Sequence, residues 1–227
     1  GSRFALVCYH SNGSLDATFG TNGRVLTLIN GTDEVAALAI LPDGKIIVAA
    51  NNPVYSSYYY RFLSLACYQA DGSLHPDFGH NGIVKDTCGQ FYIPHAMTGQ
   101  PNGMIVLAAG DHASLLARYD TEGLPDNNFG VGGKKVLLEN VPLSGNRADA
   151  VLIQPDGKML VSYMFGSWGG LFVYLARLTE NGDWDATFGN QGILNADYYY
   201  LGDSIPNRFS SVSSLALQTD GKILATG

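Results

Sequence analysis

The sequence predicts an all-β fold made of four copies of one four-stranded unit, and three observations carry that expectation. First, Phe-Gly recurs at Phe19-Gly20, Phe78-Gly79, Phe129-Gly130 and Phe188-Gly189, each with a second glycine three residues on (Gly23, Gly82, Gly133, Gly192). Second, every unit has a hairpin signal: Pro42-Asp43-Gly44-Lys45, Pro101-Asn102-Gly103-Met104, Pro155-Asp156-Gly157-Lys158 and Thr219-Asp220-Gly221-Lys222. Third, strand-length apolar runs fill the intervals and none keeps a helical period. Self-similarity at a fixed period marks a repeat architecture.

In the first full unit, residues 35–40 and 46–50 flank Pro42-Asp43-Gly44, where proline presets φ and glycine accepts positive φ without a steric cost, so they form a hairpin. Residues 62–68 supply a third strand and residues 83–86, after the Phe-Gly loop, a fourth. The third strand recurs at 115–119 and 174–178, the fourth at 136–138 and 193–195. The innermost strands keep a small side chain at one slot, Ala37, Ala96, Ala150 and Ser214, as crowding about a central axis would demand.

Gly20, Gly79, Gly130 and Gly189 stand 59, 51 and 59 residues apart, and joining the C-terminus to the N-terminus on paper gives a fourth spacing of 58. The unit split between the two ends is complete when read across that join. The phase predicts a four-bladed β-propeller with four antiparallel strands per blade, closed by pairing C-terminal strands with N-terminal strands. Residues 1–227 form a single domain on this reading, with blades near 35–88, 91–139, 147–195, and 211–227 plus 3–29. An open array cut at this phase by chance is the alternative, and the phase also leaves room for two chains combining into a larger ring, a homo-oligomer.

The Phe-Gly element reads as structural: a ring plugged between sheets, with glycine where the backbone turns tightly or approaches another strand. The chain resembles the delta-60 repeat family of bacterial proteins through Leu116-Ala117-Arg118, Gly13-Ser14-Leu15-Asp16, Phe188-Gly189-Asn190-Gln191-Gly192 and Gln154-Pro155-Asp156-Gly157-Lys158. The resemblance covers essentially the whole chain and implies a β-propeller of secreted or cell-surface bacterial origin, a family without an assigned activity. The chain departs from the pattern where Cys8 and Cys67 replace the strand arginine and His75 the loop aspartate. Where both partners remain, Arg118 is expected to pair with Asp126, and Arg177 with Asp185.

A formal charge of −7 with 13 Lys and Arg and no basic stripe argues against nucleic acid as a partner. Apolar runs are strand-sized, so no membrane insertion is expected. Three cysteines make no disulfide framework; Cys8 and Cys67 share one slot in successive units and read as buried small hydrophobes. No zinc spacing, phosphate cradle or nucleophile elbow is present, so no cofactor or metal is expected and no catalytic residue is nominated.

In an up-and-down sheet, the Asp-Gly turns and Phe-Gly loops share one face of the disc; the strand-two-to-three loops and the crossings between units share the other. The second face carries the sequence differences, and they are aromatic: Tyr58, Tyr59 and Tyr60; Trp168; Tyr198, Tyr199 and Tyr200. Successive side chains of an extended run point opposite ways, so part of each tyrosine triplet should face solvent. About three rings of roughly 150–250 Å² each reach the patch size that marks interaction sites. These seven residues are the expected ligand-binding set, with a glycan or a protein surface as partner. Ala36, His95, Asp149 and Ser213 share a slot on the innermost strands, which makes His95 and Asp149 a second candidate at the channel mouth. Three functions follow: a non-enzymatic binding module, a structural spacer or assembly domain, and a hydrolase or lyase at the channel mouth.

Overall fold

The computed structural model of the chain describes residues 4–29, 34–53, 61–86, 93–110, 113–137, 146–167, 170–196 and 211–227. Every regular element among them is a strand. Three complete units form antiparallel four-stranded sheets in sequence order. With β1 (Phe4–Val7) and β2 (Arg24–Thr27) preceding them, the first sheet is β3 (Glu34–Ile40), β4 (Ile46–Pro53), β5 (Arg61–Tyr68) and β6 (Ile83–Asp86). The second is β7 (Pro94–Gly99), β8 (Ile105–Ala109), β9 (Leu115–Tyr119) and β10 (Lys134–Val136). The third is β11 (Arg147–Ile153), β12 (Met159–Ser167), β13 (Gly170–Leu178) and β14 (Ile193–Asn195), and the chain ends with β15 (Ser214–Leu217) and β16 (Ile223–Thr226).

The turns are those the sequence implies. Gly44, Gly103, Gly157 and Gly221 adopt φ of 82° to 86°, and in three of the four turns an Asp side chain accepts the N–H of the following Lys. The ladders agree in register: Ile47 opposes Cys67, Val106 opposes Arg118 and Leu160 opposes Arg177.

The sheets are joined by contacts that repeat at each seam. Phe19, Phe78 and Phe129 are buried, and each lies beneath a glycine of the next unit. A Cβ at Gly72 would meet the Phe19 ring at 3.1 Å, one at Gly123 the Phe78 ring at 2.9 Å, and one at Gly182 the Phe129 ring at 2.5 Å. The backbone N–H groups of Gly20 and Gly79 donate to Asp71 and Glu122 across the same seams, at 2.7 and 2.8 Å. Glycine is required here on two counts, the close ring and a positive φ. The guanidinium of Arg118 lies 4.6 Å above the Phe129 ring and that of Arg177 4.8 Å above Phe188. Both arginines make the expected carboxylate pairs, Arg118 with Asp126 and Arg177 with Asp185, each at 2.7 Å from Nε.

The closing pair expected between the C-terminal and N-terminal strands is not formed. Among the described residues β1 pairs with β2 alone and β16 with β15 alone, giving two separate two-stranded sheets. Innermost strands pack in succession, β3 on β7, β7 on β11 and β11 on β15. The β1–β2 sheet packs against the first complete sheet through Leu6, Phe19, Val48, Ala66 and Tyr68. At the other end Leu215 joins Val173, Leu175 and Val212. Three four-stranded sheets are thus flanked, among the described residues, by two with half that number of strands.

Candidate functional site

The innermost strands of the three complete sheets carry the same irregularity. Their pairing with the second strand skips one residue between Val35 and Ala37, between Pro94 and Ala96, and between Ala148 and Ala150. The residue passed over is Ala36, His95 or Asp149, the slot shared in the sequence. A β-bulge leaves its extra residue outside the ladder and re-aims its side chain, so these positions are free to differ while the flanking small residues stay fixed.

At the second and third sheets the bulges bring polar groups together. Nε2–H of His95 donates to the Gly110 carbonyl at 3.0 Å. Gly110 also forms a bridge with Arg147, and a Cβ on it would come within 2.6 Å of the Arg147 Cα, so only glycine permits this approach. Arg147 Nε lies 2.7 Å from Asp149 Oδ1, off the hydrogen-bond direction. Asp149 is 9% exposed and its Oδ2 has no hydrogen-bond partner. Burial raises the Asp149 pKa above the ordinary carboxylate range, opposed by the charges of Arg147 and then His95. The arrangement is a carboxylate with one spare acceptor oxygen, a half-exposed guanidinium and an imidazole. It can orient a ligand bearing hydrogen-bond donors. Among the described residues no group of three His, Cys, Asp or Glu could hold a metal ion.

Sequence reasoning singled out His95 and Asp149, which the structure brings into electrostatic range of one another. It missed Arg147, for which the only signal was its position two residues before Asp149 on one strand. Tyr58, Tyr59, Tyr60, Trp168, Tyr198, Tyr199 and Tyr200 lie outside the described residues. The strands that flank them are described: segment 54–60 leaves the end of β4, 168–169 the end of β12, and 197–210 follows β14. These are strand-two-to-three connections and a crossing between units. The bulges sit at the beginnings of β3, β7 and β11, the end that the crossings feed.

Cys67 is fully buried and its thiol is pushed up to about 11 by burial, whereas Cys8 is only half-buried. No candidate membrane-spanning helix is present among the described residues.

A family model described as a β-propeller domain of unknown function (DUF5122) matches residues 1–19 and 154–188. The chain is also similar to the crystal structure of a protein of unknown function from Bacteroides caccae, with a TM-score of 0.53 and 11% identity over 99% of this chain. The chain spans 65% of the length of that protein. No curated protein matches it in sequence. With the succession of four-stranded antiparallel sheets, these likenesses define the class: a repeat protein of the β-propeller type.

Proposed function

We propose that the chain is a non-enzymatic binding module of a secreted or cell-surface bacterial protein, recognising a glycan or a protein surface on the face where the sequence differs between units. The observation that carries this reading is the common exit of the aromatic segments: the strands flanking 54–60, 168–169 and 197–210 end on the side where the bulges present His95 and Asp149. Aromatic rings with Asn, Ser and Gly supply stacking and hydrogen bonding together. Asp149 Oδ2, buried and without a hydrogen-bond partner, supplies an acceptor at the bulge of β11. Glycan-array and pull-down binding should be lost in Tyr59→Ala and Trp168→Ala with the melting temperature unchanged. Binding that survives both substitutions would leave the spacer or assembly role.

A hydrolase or lyase centred on His95 is the weaker reading, because the imidazole Nε2–H is already committed to the Gly110 carbonyl. Turnover abolished by His95→Ala would reverse that order.

The architecture we propose for the working protein is one in which β16 pairs with β1, so that the two half-sheets become one four-stranded blade. The four-bladed ring is the form this takes when both halves come from one chain.

A further inference from the structure

We propose that Asp149 and Arg147, at the bulge of β11, bind a hydroxyl group of an uncharged saccharide. The inference rests on the reading of the chain as a binding module and narrows its ligand to a neutral glycan.

Two buried polar atoms at this bulge lack hydrogen-bond partners, and they belong to the two sides of one ion pair. Arg147 Nε stands 2.7 Å from Asp149 Oδ1 but off the hydrogen-bond direction, and Asp149 Oδ2 is open as well. The Asp149 side chain is only 9% exposed, so bulk water does not make good the deficit. Buried donors and acceptors are costly to leave unmade, and an open pair of them calls for a missing group. The neighbours do not supply it. His95 Nε2–H is committed to the Gly110 carbonyl. The Ser162 hydroxyl, on the paired strand, accepts from the Ala150 N–H and donates to the Val212 carbonyl.

The missing group must donate to a carboxylate and accept from a guanidinium. An ammonium only donates and would be set against Arg147; a carboxylate or phosphate only accepts and would be set against Asp149. An amide offers both functions on separate atoms. A hydroxyl offers both at one oxygen, and it brings no charge into a site whose own two charges already balance.

An aromatic ladder on the next two strands favours a sugar as the bearer of that hydroxyl. Tyr163 stacks on Tyr174 with 5.4 Å between ring centroids, and Phe165 on Phe172 with 5.5 Å. Arg147 pairs with Met164, the residue between Tyr163 and Phe165. Where the third sheet has Tyr163 opposite Tyr174, the first has Ala50 opposite Ser64 and the second Ala109 opposite Leu115. The aromatic rungs therefore occur in the sheet that carries the open ion pair. Phe165 and Phe172 are only half-buried. A pyranose, apolar on its C–H face and hydroxylated at its edge, matches rings and a hydroxyl-binding pair on one sheet.

The other sheets supply the substitutions. At the positions of Arg147 and Asp149 the second sheet has Ile93 and His95, and the first has Glu34 and Ala36. Asp149→Ala and the double variant Arg147→Ile, Asp149→Ala thus use residues the fold already holds there, and the double variant leaves no unpaired charge. Methyl glucoside, methyl mannoside and methyl galactoside are titrated into the parent and both variants, beside glucuronate and glucosamine, with the Arg147 Nε–H followed by NMR. The expected result is saturable binding of a neutral glycoside that shifts the Arg147 Nε–H signal and is weakened about tenfold or more in both variants. A parent that binds none of the neutral glycosides means that water alone fills the gap, and overturns the proposal. Preference for glucuronate or glucosamine overturns it too. Glycoside binding that survives the double variant but is lost in Trp168→Ala sinks this inference and leaves the binding module standing. Binding lost in the double variant but unchanged in Tyr59→Ala and Trp168→Ala supports Asp149 and Arg147 and removes the aromatic segments instead.

Discussion

The phenol of Tyr119 donates a 2.6 Å hydrogen bond to Asp86, joining the third strand of one sheet to the fourth strand of the sheet before it. Lys134 lies 3.2 Å from the same carboxylate. One seam earlier, Tyr68 shares a 2.6 Å hydrogen bond with Thr27 at the equivalent positions. One seam later both positions are leucines, Leu178 and Leu137, buried in one apolar cluster. The seam is thus closed by a polar pair twice and by an apolar pair once, and the two partners change type together.

The seam closed through a carboxylate should depend on its tyrosine hydroxyl more than the seam closed between two neutral hydroxyls. Tyr119→Phe leaves the nearly buried Asp86 carboxylate with Lys134 and should lose about 1–3 kcal/mol, whereas Tyr68→Phe, which removes a bond between neutral hydroxyls, should lose about 1 kcal/mol. Urea unfolding of the two variants beside the parent measures the difference.

Gly182→Ala should be far more damaging than Gly13→Ala. Both residues have positive φ, 91° and 84°, so the backbone penalty of about 1 kcal/mol is common to the pair. Only Gly182 has a ring in the way, with Phe129 Cε2 at 2.5 Å from the added carbon. Thermal unfolding should therefore separate the two, because the methyl group added at Gly13 meets nothing within 4 Å.

Acid should act on two kinds of carboxylate with opposite sign. Asp185 is held well below the ordinary range by the Thr187 hydroxyl and N–H and then by Lys158 and Arg177. At Asp126 burial raises the pKa but is outweighed by the Asn128 N–H and by Arg118. Groups depressed in the folded state contribute stability that is complete above the unfolded value near 4 and is lost as pH falls through the folded value. Asp149 is raised, so its charged form penalises the native state at neutral pH and protonation relieves the penalty. Asp149→Asn should then gain stability on the parent at pH 7 and lose that advantage towards pH 3. Asp126→Asn should be destabilised at pH 7, with the deficit narrowing on acidification. Denaturation midpoints across pH 3–8 check both signs.

Thiol chemistry should report the burial of Cys67. Ellman's reagent should leave Cys67 untouched in the folded chain until denaturant is added, because Cys67 is fully buried and burial pushes its thiol up to about 11. Rapid labelling of Cys67 in the native state would mean that the first complete sheet opens on that timescale.

The repeated elements were legible because their determinants are local. Asp43, Gly44 and Lys45 make a turn among themselves, and Arg118 and Asp126 are eight residues apart across one loop. The shared slot of Ala36, His95 and Asp149 was visible as an alignment, but not as a bulge, since a skipped ladder position shows only in the pairing. The phenylalanine rings were legible as plugs between sheets, but their partners across the seams were not. Phe19 meets Gly72 and Tyr119 meets Asp86 across distances in sequence that nothing in either residue's surroundings specifies. The phase of the divided unit was legible, but the pairing of β16 with β1 is not among the pairings of the described residues. For the tyrosine triplets, composition predicted a role and the flanking strands give the side from which they emerge; their own arrangement lies outside the described residues.

The skipped ladder position has a consequence for how such a protein changes over time. Alanine, histidine and aspartate occupy it in successive units without altering the hydrogen-bonded rows on either side. Each of the three complete sheets therefore offers one position on its first strand whose chemistry can be rewritten singly, so new specificity can be acquired by exchanging one amino acid while the framework that holds it stays as it was.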